Sequence, residues 1–145
     1  MKHALLILLA VLLLFLTGCQ TLTMSEQEKV GELKALGVDP ESQGSRGPWA
    51  TAFGNVFLGM GNLANGQAGL FAVDLMTWPV SILWSPAVGY NQAHVLNQKE
   101  TVDYFYETRG GRAHIAAIRR GVINPKTPSP LQMSRQKGRP TWPDY

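Results

Sequence analysis

Apolar residues are spaced differently in successive parts of the chain. They form an unbroken run over residues 4–16 and then recur at helical spacing over residues 25–36. Because an amphipathic helix repeats its apolar positions every three or four residues, the second pattern predicts a short helix. An S-x-x-E capping box at Ser25 and Glu28 would begin this helix, and Gly37 would end it.

Small residues dominate the middle of the chain, residues 49–84. This segment contains five glycines, and Ala64, Ala68 and Ala72 are spaced to line one helical face, which lets helices approach each other closely. We predict a packed helical hairpin that turns near Asn65-Gly66. The hairpin is expected to form the core of the domain, since asparagine and glutamine side chains interrupt its apolar residues. Its insertion into a bilayer is the alternative.

Two further helices are expected after this segment. Ser85 is a good N-cap with a proline directly after it, which predicts a helix over residues 86–107. Gly110-Gly111 is expected to break the chain. A last short helix is expected over residues 112–120, with Gly121 as its stop.

The part of the chain after Asn124 contains five prolines among scattered charges, which predicts an extended C-terminal tail. The predicted fold class is therefore mainly α. We expect a small helical domain of about four helices, with a small-residue-rich apolar hairpin and the extended tail.

Charge is distributed in three parts along the 145 residues, whose formal net charge is +3. Residues 25–45 carry five acids against two lysines, and residues 109–145 carry eight bases against one acid. Between them, Asp74 is the only formal charge over residues 47–98. A net charge this small does not imply a nucleic-acid partner, and aromatic residues are not interleaved with the C-terminal bases.

The N-terminus has the layout of a secretory signal, because a charged start precedes the apolar run over residues 4–16. The quartet Leu16-Thr17-Gly18-Cys19 that follows resembles the lipobox of bacterial lipoproteins. That resemblance implies cleavage before Cys19, a diacylglycerol on its thiol and a further acyl chain, such as palmitate, on the new amine. Cys19 is also the only cysteine, so no intramolecular disulfide can form.

The lipoprotein resemblance also implies a location. In that class an aspartate directly after the cysteine tends to retain the protein in the inner membrane, whereas Gln20 stands there in this chain. We therefore expect the inner leaflet of the outer membrane, facing the periplasm, with the inner membrane as the alternative.

The predicted organisation has four parts. Residues 1–18 are the cleaved signal peptide, and residues 19–48 form the lipidated N-terminus, a short helix and a linker. Residues 49–124 form the helical domain. Residues 125–145 form the proline-rich basic tail.

Candidate metal ligands and catalytic groups do not form a recognised motif. The acidic and histidine side chains that could converge are His94, Glu100, Asp103, Glu107 and His114. They contain no His-x-x-x-His pair, and no serine lies in a G-x-S-x-G elbow. We therefore predict no metal, no catalytic residue and no cofactor beyond the covalent lipid, and we expect a protein that is not an enzyme.

Two other groups of residues are candidates for structural or binding roles. Asp74 is expected to be a structural charge that caps or satisfies local backbone near the Thr77-Trp78-Pro79 turn. A buried pair with Arg109 or Arg112 is the alternative, because a buried carboxylate without a partner is costly. The C-terminal tail offers basic and aromatic side chains for contact with a partner or with lipid: Arg135, Lys137, Arg139, Trp142 and Tyr145.

These features predict a membrane-anchored envelope lipoprotein with a structural, assembly or interaction role. Its expected partners are the bilayer, through acylated Cys19, and either an envelope protein or a second copy of the chain, with no nucleic acid. One alternative is a periplasmic envelope hydrolase or binding protein that uses the polar face of residues 91–107. Another is a helical hairpin that inserts into the bilayer and oligomerises.

Overall fold

The computed structural model describes residues 21–137. Over that range the chain is helical and forms no strand, so the predicted mainly α class is confirmed. Seven α-helices and one 3₁₀-helix follow one another in this order: α1 (Met24–Ala35), α2 (Pro48–Val56), α3 (Met60–Ala64), α4 (Ala68–Thr77), the 3₁₀-helix (Val80–Leu83), α5 (Ser85–Glu107), α6 (Arg109–Arg119) and α7 (Pro130–Lys137).

The described residues form two compact units. The first, which we call the central unit, comprises residues 45–96, with Thr21 also assigned to it. The second, which we call the core unit, comprises residues 22–44 and 97–137. Helix α5 contributes residues to both units.

Helix α1 begins earlier than its sequence pattern predicted. Thr23 is the N-cap, and a capping box joins it to Glu26 through Thr23 N to Glu26 Oε2 (2.7 Å) and Glu26 N to Thr23 Oγ1 (3.3 Å). The box predicted at Ser25 and Glu28 is therefore wrong by two residues. Thr23-x-x-Glu26 also fits the motif, and starting there adds about half a turn without changing the buried face. Gly37 follows the helix with φ of 77°, as expected of a C-terminal glycine.

The central unit contains more helices than the predicted hairpin. The expected turn at Asn65-Gly66 is present, and Gly66 has φ of 76°. A second break that the sequence analysis did not predict separates α2 from α3, where Leu58 and Gly59 have φ of 55° and 74°. The segment therefore folds as short helices α2, α3 and α4 rather than as two longer ones.

Helix α5 runs from Ser85 to Glu107, close to the predicted bounds. The expected break at Gly110-Gly111 is wrong, because both glycines lie in the first turn of α6. The chain breaks instead at Thr108, whose side chain caps α6 by accepting a hydrogen bond from Gly111 N (3.0 Å). A side chain at position 111 would overlap the Tyr104 carbonyl oxygen, so this glycine permits a close approach of the chain rather than a turn.

Residues 130–137 form helix α7 within the segment expected to be extended. Ser129 precedes it, is buried and bonds through its hydroxyl to Gln43 Oε1 (2.9 Å). Gln132 N donates to the same hydroxyl (3.2 Å), and Gln132 Oε1 accepts from Ser129 N (2.7 Å). The bond from Ser129 to Gln43 fixes the start of α7 against the loop that holds Gln43. No sequence pattern indicates this contact between distant parts of the chain.

The core unit buries apolar side chains in the ordinary way. Its centre is a cluster from α1, the following loop, α5 and α6: Val30, Leu33, Val38, Val102, Phe105, Ile115 and Ile118. Burying a large apolar side chain stabilises a fold by about 1.5–3 kcal/mol, so this cluster is the main stabilising feature of the unit.

Candidate functional site

The central unit buries hydrogen-bonding side chains at the place where helical units ordinarily bury apolar ones. We call Asn55, Asn62, Asp74, Ser81 and Ser85 the polar cluster, and each of them is at most 3% exposed. Helices α2, α3 and α4, the 3₁₀-helix and α5 each contribute one member. The polar cluster therefore links every helical element of the unit.

Asp74 lies at the centre of the polar cluster. Its Oδ2 accepts hydrogen bonds from Ser85 Oγ (2.5 Å) and Asn62 Nδ2 (2.8 Å). Its backbone carbonyl accepts a third from Ser81 Oγ (3.1 Å). A Cβ atom at Gly59 would lie 2.6 Å from Asp74 Oδ2, so only glycine leaves room for the carboxylate there.

Among the described residues, Asp74 Oδ2 bonds to the side chains of Ser85 and Asn62, rather than to the local backbone that was expected or to Arg109 or Arg112, the alternative partners. Those arginines belong to α6 in the core unit, where Arg112 donates to the carbonyl oxygens of Tyr106 and Glu107 (3.3 Å each). A carboxylate can be held in a buried site by neutral donors, because hydrogen bonds to a charged acceptor are stronger than neutral ones. Sequence spacing could not reveal this arrangement.

Asn55 uses both ends of its amide in the polar cluster. Its Nδ2 donates to Asn62 Oδ1 (3.0 Å) and to the carbonyl oxygen of Ser85 (2.9 Å), and its Oδ1 accepts from Asn62 N (2.7 Å). Gly61 and Gly89 make room for Asn55. A Cβ at position 61 would overlap the Thr51 carbonyl oxygen, and a Cβ at position 89 would overlap Asn55 Nδ2. Both glycines are needed to bring the backbones this close.

Large apolar side chains lie on the outside of the same unit. We call this set the apolar surface, and its twelve members are at least 37% exposed: Trp49, Phe53, Phe57, Leu58, Met60, Leu63, Leu75, Met76, Trp78, Val80, Ile82 and Leu83. Single exposed apolar residues are normal, but monomeric soluble proteins rarely expose a large number together. Some component other than water is needed to cover such a surface.

Helix α2 shows the inversion within a single element. Trp49, Phe53 and Phe57 are four residues apart and exposed, and the rings of Phe53 and Phe57 contact each other at 5.5 Å. Thr51 and Asn55, also four apart, are buried. This periodicity was present in the sequence. The sequence analysis missed it because the pattern does not say which face of a helix is buried.

The position of the charge in this part of the chain follows the same arrangement, with the polar group inside. Asp74, the only formal charge over residues 47–98, is 3% exposed. Within this stretch the outer surface therefore carries no formally charged side chain, whereas about a quarter of the residues of a typical soluble domain are charged. The interior of the central unit therefore holds the polar cluster beside buried apolar residues such as Leu70 and Val73, and its exterior carries the apolar surface with no formal charge over residues 47–96.

The candidate metal ligands do not converge. No group of three or more histidine, cysteine, aspartate or glutamate side chains able to hold a metal ion occurs within residues 21–137. His94 contacts the ring of Tyr90 at 4.6 Å in the central unit, and His114 contacts Phe105 at 5.7 Å in the core unit. Glu107 forms an ion pair with Lys29 at 3.7 Å. Glu100 and Asp103 lie on α5, half-buried and exposed respectively.

Side chains on the polar face of residues 91–107 form hydrogen bonds inside the central unit and inside the core unit. Gln92 Oε1 accepts from Gln67 Nε2 (2.9 Å) in the central unit. Thr101 Oγ1 accepts from Gln43 N (3.1 Å) and donates to the Asn97 carbonyl oxygen (2.9 Å) in the core unit. These contacts give the face a structural role, and the hydrolase alternative stays a prediction.

The core unit has an open cleft of about 480 Å³. Lys34 and Lys126 line it together with Phe105, His114 and Ser129. His114 is buried, and its Nε2 atom has no hydrogen-bond partner among the described residues. The cleft joins cationic and hydroxyl side chains to an aromatic wall.

A hydrogen-bonded triad joins α1, α5 and α6 in the core unit. Tyr106 Oη donates to Glu32 Oε2 (2.6 Å), and Arg119 pairs with the other carboxylate oxygen. Burial, followed by the bond to Glu32, raises the pKa of Tyr106 to about 12. The hydrogen bond from Tyr106, aided by Arg119, lowers the pKa of Glu32.

The C-terminal contact residues are only partly described. Arg135 donates from Nη1 to the carbonyl oxygens of Gln43 (2.7 Å) and Gly44 (3.4 Å), so its guanidinium helps to hold α7. Lys137 is the last residue of α7. The remaining predicted residues lie outside the described range, namely Arg139, Trp142 and Tyr145, and so do the signal segment and Cys19.

Among residues 21–137 no helix combines the length and hydropathy needed to cross a bilayer. No protein-family model matches the chain, and neither a curated protein nor a solved structure matches it. The arrangement of the central unit is therefore the main basis for a functional proposal.

Proposed function

We propose that the chain is a membrane-anchored envelope lipoprotein with a structural, assembly or interaction role, held at the membrane by acyl chains on Cys19. The identity of Gln20 favours the periplasmic face of the outer membrane, by the sorting rule of the lipoprotein class. No catalytic step is part of this proposal.

The apolar surface is the observation that carries the proposal. Trp49, Met76 and Leu83 are 77%, 75% and 83% exposed, and nine further large apolar side chains accompany them. In water such a surface favours association, because each apolar square ångström removed from water contributes about 25 cal/mol. A protein kept at a membrane has a covering for this surface close at hand.

The lipid anchor supports the same proposal from the N-terminus. One acyl chain binds a membrane only marginally, whereas two or more give a lasting tether. The lipobox resemblance implies that Cys19 receives more than one chain. Residues 20–44 separate Cys19 from the central unit, so the apolar surface would stay near the membrane throughout the life of the protein.

Metabolic labelling tests the anchor. Cells that produce the full chain are fed a palmitate analogue, and label on the protein is measured together with its partition between outer-membrane, inner-membrane and soluble fractions. We expect label in the outer-membrane fraction, and we expect Cys19→Ser to lose the label and to remain unprocessed. Ser25→Ala, which lies outside the lipobox, is the control and should behave like the original. An unlabelled original chain, or a Cys19→Ser chain processed and fractionated like it, would overturn the anchor.

Crosslinking in intact cells tests the assembly role. Amine-reactive crosslinking followed by purification of the acylated chain should recover an envelope protein or a second copy of the chain in a defined complex. Recovery of the acylated monomer alone would refute the assembly role and leave the anchor in place.

A further inference from the structure

We propose that lipid itself covers the apolar surface, with the central unit immersed among the acyl chains of one membrane leaflet. This inference rests on the proposed membrane anchor and names the component that the unit contacts. The juxtaposition that carries it is a buried polar cluster inside a shell of exposed apolar side chains.

The distribution of polar and apolar side chains in the central unit indicates which solvent surrounds it. Water favours apolar residues inside and charged residues outside, whereas hydrocarbon favours the reverse, because it cannot satisfy polar groups. The polar cluster around Asp74 is buried, and the twelve members of the apolar surface face outwards. Ionisable residues at membrane depth are almost always turned inwards and paired, as Asp74 is with Ser85 and Asn62.

The spread of the apolar surface over several elements favours lipid over a protein partner. The exposed apolar side chains come from α2, α3, α4 and the 3₁₀-helix, together with the loops between them. A partner protein or a second copy covers one patch and meets a polar rim around it. Here Asp74, which is buried, is the only charged residue over residues 47–98. A liquid apolar phase can contact all these elements at once.

At the ends of the short helices, backbone carbonyl groups have no partner within the helix. In hydrocarbon each unsatisfied group is costly. Asp74 is one of the last four residues of α4, and its carbonyl oxygen accepts a hydrogen bond from Ser81 Oγ (3.1 Å). The unit thus satisfies within itself a carbonyl group that water would otherwise serve.

The helix lengths fit one leaflet. Helix α2 has nine residues and α4 has ten, which correspond to about 14–15 Å at 1.5 Å per residue. The hydrocarbon core of a bilayer is about 30 Å thick, so one leaflet is about half of that. Trp49 and Trp78, both exposed, are of the residue type that collects at the boundary between acyl chains and headgroups.

Site-directed spin labelling tests the inference on the acylated full chain. Because Cys19 is the only cysteine and its thiol would carry lipid, a cysteine introduced elsewhere is the sole site for a nitroxide label. Met76→Cys and Leu83→Cys report from α4 and from the 3₁₀-helix, two separate elements of the apolar surface. Val122→Cys, which is 72% exposed in the core unit, is the matched control. The acylated chains are reconstituted into vesicles of phosphatidylethanolamine and phosphatidylglycerol, and collision rates with oxygen and with a water-soluble nickel complex are measured.

We expect oxygen collisions to exceed nickel collisions at positions 76 and 83, because oxygen concentrates in hydrocarbon and the nickel complex does not. At position 122 the order should reverse. Low collision rates with both reagents at 76 and 83 would show a protein covering, with spin–spin broadening if it is a second copy, and would overturn the inference. Nickel collisions above oxygen collisions there would show water and would overturn it as well.

The two proposals can fail separately. Mass measurement of the same preparations reports acylation of Cys19. If the chain is acylated and remains with the vesicles while positions 76 and 83 contact protein or water, the lipoprotein proposal stands and the immersion of the central unit is refuted. If Cys19 carries no lipid, the proposed anchor fails whatever the labels report.

Discussion

Asn55→Ala is the substitution that most directly tests the polar cluster. Asn55 makes three hydrogen bonds within the cluster, and the change removes all of them. Two of the three groups keep another bond: the Asn62 backbone N–H still donates to the Gly59 carbonyl oxygen (3.0 Å), and the Ser85 carbonyl lies in the first turn of α5, where it accepts within the helix. The Asn62 side-chain oxygen is then left without a partner in a buried site. Asn62 and Ser85 are each 1% exposed, so water cannot replace the lost bonds without opening the unit.

The size of the effect follows mainly from the Asn62 side-chain oxygen. A buried donor or acceptor left without a partner costs about 1–3 kcal/mol. We therefore expect Asn55→Ala to lower the free energy of unfolding by about 2 kcal/mol, a substantial part of the 5–15 kcal/mol available to a typical domain.

Asn55→Asp sharpens the test because it preserves volume. The carboxylate can still accept from Asn62 N, but it turns both donor bonds into contacts between acceptors, at Asn62 Oδ1 and at the Ser85 carbonyl oxygen. We expect a loss at least as large as that of Asn55→Ala. Asn91→Ala is the matched control, because Asn91 is exposed on α5 in the same unit. Its effect should stay within about 0.5 kcal/mol.

The assay is urea unfolding of the full chain in detergent micelles, followed by tryptophan fluorescence. Three of the four tryptophans, Trp49, Trp78 and Trp84, lie in the central unit, so the signal reports mainly on that unit. The reasoning is refuted if Asn55→Ala and Asn91→Ala unfold within about 1 kcal/mol of each other, since even one orphaned buried group costs that much.

The core unit supports three further predictions. Gly111→Ala should lower the free energy of unfolding by about 1–3 kcal/mol, because the new methyl would overlap the Tyr104 carbonyl oxygen, while Gly110→Ala faces open space and should stabilise α6 by about 0.5–1 kcal/mol. Equal effects of the two changes in urea unfolding would contradict the close approach. Because the pKa of Tyr106 is raised from 10.0 to about 12, the unfolded state loses its proton first, and stability should fall as pH rises across that interval. Tyr106→Phe should remove this loss in thermal melts, and an unchanged alkaline limb would argue against the buried hydroxyl. The pKa of Glu32 is lowered, so its effect on stability depends on pH in the opposite direction. Its contribution to the free energy of unfolding is present above about pH 4.5 and is lost as pH falls. Glu32→Gln should therefore flatten the acid limb of the melting temperature against pH.

Local patterns predicted several helix boundaries well. The start of α5 at Ser85, the turn at Asn65-Gly66 and the glycine stop at Gly121, with φ of 70°, all agree with the structure. The start of α5 depends on the proline in its first turn, and the other two depend on a left-handed glycine, so each depends on residues close together in sequence. The predicted N-cap role of Ser85 is not seen, because Ser85 lies inside α5 and its hydroxyl donates to Asp74 Oδ2. The capping box of α1 was misplaced because two overlapping segments fit the same motif.

Structural features that depend on contacts between residues distant in the sequence could not be predicted. Gly111 looks like a helix breaker in the sequence, yet it lies inside α6 because the neighbouring backbone leaves no room for a side chain. Ser129 and Arg135 belong to a segment rich in proline, yet their bonds to the loop at Gln43 hold a helix there. A single sequence contains no sign of those long-range contacts.

The sequence by itself determined the helical class, the small-residue character of residues 49–84 and the isolation of Asp74 as their only charge. These are properties of composition and short-range spacing. Only the tertiary structure decided which side of each helix is buried, since an amphipathic pattern is the same whether its polar face meets water or a neighbouring helix. In the central unit five elements each contribute a buried polar side chain to the cluster around Asp74, and twelve large apolar side chains are left outside. Hydrogen bonds between residues as far apart as Asn55 and Ser85 settle that choice.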